Sequence, residues 1–167
     1  MASGRTHDLI NLVAFPPIVY YLKPDNFWAF TAGYLAGTFF LSPDNDLYHS
    51  HPNKRWKFLR FIWKPYVILF SHRGISHMPI FGILTKLIYL AVVFLVFYFL
   101  LSISLHFIYP EGEKFLYKNF HEKSSNLENF IQNPFVISFL VGLFLSEIVH
   151  IITDILYSNM KKLKLIR

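Results

Sequence analysis

Three ionisable residues share one face of an otherwise apolar stretch near the C-terminus. In SEIVHIITD, Glu147, His150 and Asp154 stand at i, i+3 and i+7, which is one stripe of a helix. Inside a membrane-spanning helix each costs on the order of 2.5–3.5 kcal/mol unless compensated, so the three together require a partner. A proton pathway, a hydrogen-bond network and metal coordination would each supply one. A second cluster, SHRGISH, sets His72 and His77 around Arg73 and Gly74, with the glycine free to turn the chain between them. Imidazole and carboxylate groups are the donors that divalent metal sites use. The chain has no cysteine, which excludes thiolate sites, iron–sulfur clusters, disulfides and cysteine nucleophiles.

The elements that must carry these residues belong in lipid. Of 167 residues, 54% are hydrophobic, 19% aromatic and only 16% charged, against roughly 25% charged in a soluble domain. The segments Ile80 to Tyr109 and Phe135 to Tyr157 both exceed the roughly 20 residues that cross a hydrocarbon core. Two earlier apolar segments, Leu9 to Leu22 and Phe27 to Leu41, are separated by Lys23-Pro24-Asp25-Asn26, a sequence suited to a turn. Counted from Thr6 as N-cap, the first has 17 residues and reaches roughly 25 Å. The second carries Ala32, Gly33, Ala36 and Gly37, small residues that permit close helix packing. Together they read as a transmembrane hairpin. His7 and Asp8 interrupt the N-terminus where the apolar region of a cleavable signal would begin.

The fold expected is therefore all-α: a single membrane-embedded domain over 1–167 with four spanning helices and an interfacial amphipathic helix. The last is read in Trp56 to Tyr66, where Leu59, Ile62, Trp63 and Tyr66 share one face and Lys57, Arg60 and Lys64 another. Four crossings put the N-terminus, the segment Ser42 to Pro79 and the C-terminal tail on one side, together with 11 of the 16 basic residues. By the positive-inside rule that side is cytoplasmic, which implies a multi-pass protein of the cell (inner) membrane with both termini in the cytoplasm. The net charge of +6 then reflects topology and affinity for anionic headgroups. No groove-reading motif supports nucleic-acid binding, and the oligomeric state is not readable.

This topology brings the candidate ligands to one depth. His7 and Asp8 lie at the cytoplasmic start of the first helix, Asp44 and Asp46 follow the second, His72 and His77 precede the third, and Glu147, His150 and Asp154 occupy the cytoplasmic half of the fourth. His7, Asp44, His72, His77, Glu147, His150 and Asp154 exceed what one tetrahedral zinc takes. Two or more ions fit better, and paired ions suit phosphoester hydrolysis.

SGRTHDLINL, LSPDNDL, RWKFLRFIWKPY, SHRGISH and HIITD together resemble, over nearly the whole chain, the prokaryotic membrane family of uncharacterised metal-binding proteins. That family is kin to the LexA-binding, inner-membrane-associated metal-dependent hydrolases and, distantly, to the zinc-dependent phospholipase C and single-strand nuclease superfamily, whose H-x-x-x-D pair is similar to His150 and Asp154. The resemblance implies hydrolysis of a phosphorylated, perhaps lipid-linked, ester, with zinc first among the ions and manganese or iron as alternatives. Met78 departs from the serine usual after the second histidine in the related hydrolases. On this basis His72, His77, His150 and Asp154 are the first-choice ligands, His7 and Asp44 complete the cluster, and Asp44 or Asp154 bridges two ions. Glu147 is a ligand or the general base. Asp46 joins the catalytic group or, like Asp8, orients a histidine ring. Arg73 clamps a phosphate oxygen, or else meets a lipid headgroup or a helix end. The family lends no role to His49, His51, His106 or His121. The competing class is a non-enzymatic metal-binding protein that senses metal, moves ions or docks a partner.

Overall fold

The computed structural model describes residues 3–70, 78–124 and 127–163. Every regular element among them is helical. Helix α1 (Gly4–Leu22) starts earlier than expected, because Ser3 rather than Thr6 caps it: the Ser3 hydroxyl accepts from the Thr6 amide. It continues through Pro16 and Pro17 and ends at Lys23, whose φ of 47° is left-handed. Asn26 then caps α2 (Phe27–Phe39) by accepting from the amide of Ala29 at 2.9 Å.

A 3-10 turn (Pro43–Asp46) and the short α3 (His51–Arg55) follow. Asn53 clamps the two together, its amide nitrogen donating to the carbonyls of Asn45 and Leu47 while its oxygen accepts from Asn45. The expected interfacial helix over Trp56 to Tyr66 is not one helix. Lys57 adopts a φ of 51°, so the segment divides into a 3-10 stretch (Lys57–Ile62) and α4 (Trp63–Leu69). Trp63 and Tyr66 are fully buried, packed with Tyr89 at ring separations of 5.2–5.9 Å. Tyr89 also donates to the carbonyl of Ile62. The aromatic face thus serves the interior, while Phe58, Phe61, Ile68 and Leu69 remain exposed.

Helices α5 (Pro79–Ile108) and α8 (Pro134–Lys162) match the two long apolar segments. Between them lie α6 (Pro110–Ser124) and the single-turn α7 (Leu127–Ile131). α6 folds back along α5, with the rings of Tyr98 and Phe120 4.5 Å apart and His106 meeting Glu113 at 2.9 Å near the bend. Of the described helices, α5 and α8 are the two long and apolar enough to cross a membrane, where four were expected. α2, with 13 residues, reaches only about 20 Å, short of the roughly 30 Å hydrocarbon core.

The closest packing in the molecule joins α2 to α8. The two run in the same direction: the amide of Asn26 donates to Ser138, Phe30 meets Gly142, and Gly37 meets Leu143 and Ser146. A methyl group at Gly33 would overlap the carbonyl of Phe139, and one at Gly142 the carbonyl of Phe30. Gly33 and Gly37 thus use the small-residue face read in the sequence, whereas Ala32 is exposed. Gly142→Leu is expected to destabilise the protein by 1–3 kcal/mol or more, as forced overpacking does. Thermal unfolding in detergent checks this, with Ala32→Leu expected to lie near wild type.

Candidate metal centre

Three helix ends and one loop meet at the polar pole of this packing. His7 comes from the first turns of α1, His150 and Asp154 from successive turns of α8, and Asp44 from the 3-10 turn after α2. The rings of His7 and His150 stack with centroids 3.7 Å apart and planes 13° from parallel. Nε2 of His7 lies 3.3 Å from Oδ1 of Asp154. Nε2 of His150 lies 3.9 Å from Oδ2 of Asp154 and 3.7 Å from Oδ1 of Asp44. The side chains of both histidines are almost wholly buried, while Asp154 keeps 14% and Asp44 13% exposed.

One donor atom each from His7, His150 and Asp154 lie within 4.8 Å of one another. Tetrahedral zinc with legs of about 2.0–2.1 Å sets its donors roughly 3.3–3.4 Å apart, so the observed 3.3, 3.7 and 3.9 Å separations are close to a ligand shell. The ring of His150 is held from behind by the Ser42 hydroxyl, 3.4 Å from Nδ1, which leaves Nε2 facing the carboxylates. Nδ1 of His7 is buried with no hydrogen-bond partner among the described residues. The donor set fits a divalent cation.

A family model described as "Uncharacterized metal-binding protein (DUF2227)" matches residues 2–164. The chain belongs to this metal-binding family. It is also 39% identical over 134 residues to an uncharacterised protein of Aquifex aeolicus (strain VF5), across 80% of this chain and 92% of that one. No solved structure matches. In this member of the family, the His7, His150 and Asp154 cluster is the group of described residues placed to hold an ion.

The remaining residues singled out from the sequence divide. His72, Arg73 and His77 lie outside the described residues. Glu147 does not join His7 and His150; Lys86 of α5 meets it at 3.1 Å, with both side chains at most 2% exposed. The reason is axial position: Glu147 precedes His150 by three residues, about 4.5 Å along the helix, where α5 rather than α1 is the neighbour. Asp46 is buried, and its charge, like those of Asp44 and Glu147, acts on Lys86. Asp8 orients no ligand ring; Arg55 grips both its oxygens and joins α1 to α3, with His51 3.9 Å away. His106 and His121 are exposed on the α5–α6 hairpin.

Lys86 was counted in the sequence only as a charge. Its Nζ also donates to the carbonyl of Leu41 at 2.8 Å, so it ties α5 to α8 and to the loop bearing Asp44. The signal was present, since a lone lysine in an apolar spanning segment incurs the same cost as Glu147. Lys86→Met leaves the Glu147 carboxylate without this counter-charge, and breaking a buried pair in this way costs about 3–5 kcal/mol. Denaturation of the single variant in detergent should show that loss, and Lys86→Met with Glu147→Gln should recover much of it. Separately, His7→Ala and His150→Ala are each expected to lower metal stoichiometry by elemental analysis. Asp8→Asn should retain the metal and lose only stability.

Proposed function

We propose that this protein is a membrane-embedded, metal-dependent hydrolase of phosphate esters whose centre sits at the cytoplasmic face. The observation that carries the reading is the converging donor set of His7, His150 and Asp154 with Asp44 beside it. Three protein ligands and an open position are the pattern of catalytic rather than structural zinc sites. A bound divalent ion supplies Lewis acidity and neutralises charge on a phosphoryl oxygen. His7 and His150 bind through their Nε2 atoms, Asp154 spans both rings, and Ser42 fixes the tautomer of His150. Glu147 is reserved for Lys86 and leaves the ligand set. His72 and His77 supply a second ion, zinc or alternatively manganese or iron, and Arg73 clamps phosphate. The resemblance to the LexA-binding hydrolases and the phospholipase C superfamily points to the same chemistry.

The membrane reading is supported by α5, whose most apolar stretch buries none of its residues. A soluble protein rarely exposes so large a contiguous apolar surface. α5 and α8 cross the bilayer, the α1–α2 hairpin lies along α8, and the basic residues of α3, α4 and the C-terminal end of α8 keep the centre cytoplasmic.

The near-complete burial of His7 and His150 favours one alternative, an ion that only staples α1 to α8. Purified protein loaded with zinc or manganese and assayed on a panel of phosphomonoesters and phosphodiesters separates the two. Hydrolysis requires metal-dependent turnover that falls at least about 100-fold in His7→Ala, the order of a lost ligand or its support. A metal-dependent rise in melting temperature without turnover on any ester would establish the staple.

A further inference from the structure

The side of α5 that faces α4 is hollow. A cavity of about 530 Å3 runs between them, lined by Leu69 and Phe70 on one wall and by Thr85, Ile88, Val92 and Val96 on the other. Its volume lies in the range of about 300–1,000 Å3 typical of small-molecule sites. From Thr85 to Val96 the groove follows three turns of helix, about 16 Å.

Its polarity is confined to one end. There Thr85 shares a hydrogen bond of 3.2 Å with the Tyr66 hydroxyl, a phenol that burial pushes up to about 12 and so keeps neutral. That end adjoins the buried charges, because Lys86 follows Thr85 in the chain and Tyr66 feels the charges of Asp46 and Glu147. The exposed Lys54, Lys57 and Lys64 of the α3–α4 segment lie on the same pole of the molecule. The other end is continuous with the exposed apolar face of α5, where Ile88, Val92 and Val96 are each half-exposed.

We propose that this groove holds one acyl chain of an anionic phospholipid drawn from the bilayer, with the phosphate at the Thr85 end beside the metal centre. This names a substrate class for the hydrolase proposed above and rests on that reading. Three features commit to lipid. The groove opens onto a face that only lipid can solvate, its length suits an extended alkyl chain, and the cations gather where the headgroup would lie. A peptide strand does not fit, because walls with so little hydrogen-bonding capacity would leave its amides unsatisfied.

The full-length protein in nanodiscs, photolysed with phosphatidic acid bearing a diazirine on its acyl chain, tests the groove by mass-spectrometric mapping. Crosslinks at Ile88, Val92 and Val96 are expected to exceed those at Phe94, on the opposite face of α5, several-fold. Val96→Phe or Val92→Phe should abolish the excess while leaving Phe94 labelling and metal content unchanged. Equal labelling of the two faces, or an excess that survives both substitutions, overturns the groove. Equal labelling by a phosphatidylcholine probe overturns its preference for an anionic headgroup. Turnover of soluble p-nitrophenyl phosphate, measured on the same preparation, separates the two readings. Groove labelling without turnover refutes the hydrolase alone, and turnover without labelling refutes the groove alone.

Discussion

The backbone contact between α2 and α8 governs the rest of the structure. At Gly33, Gly37 and Gly142 the two helices approach until a single added methyl would meet a carbonyl or the Ser146 hydroxyl. Only helices without side chains at the crossing can lie so close, and they gain dispersion contacts along the full length of α2. Because they run in the same direction, the end of α2 arrives beside the C-terminal half of α8. The Ser42–Asp46 turn is thereby delivered against His150, and Ser42 and Asp44 meet opposite edges of the imidazole.

A second constraint follows from placing charge where water is scarce. Lys86, Glu147 and Asp46 are almost entirely buried in a molecule whose outer surface is largely apolar. Buried charges persist only when paired and hydrogen-bonded, and Lys86 answers to both α8 and the α2 loop. The charge balance of the pole is nonetheless negative. Asp44, Asp46, Glu147 and Asp154 face one lysine and two imidazoles, so a divalent cation among His7, His150 and Asp154 would lower the electrostatic cost of the whole assembly. The ion pair beneath the centre and the donor set above it are two parts of one solution to the same problem.

The chain's apolar surface and its polar pole are also linked. α4 was read as the face of an interfacial helix, yet Trp63 and Tyr66 turn inward and brace the base of α5. Bracing the helix only at its base leaves the groove between Leu69 and Val96 open. Lipid access and site assembly therefore depend on the same aromatic cluster.

Composition and periodicity were enough to identify the helices, the two long apolar segments, the turn at Lys23–Asn26 and the stripe bearing His150 and Asp154, because these depend on local spacing and solvation. They also marked His7 and Asp44, since a titratable residue at the end of an apolar run is conspicuous by its cost. The partner of Glu147 was not legible: on a helical projection Glu147 and Asp154 share a stripe, and only the axial offset against a neighbouring helix sends one to Lys86 and the other to His7. The break at Lys57 was equally hidden, because a left-handed residue interrupts a helix without altering its apolar pattern. Sequence thus determined which residues had to be compensated. Tertiary structure decided by which neighbours, because compensation acts over a few ångströms between elements far apart in the chain.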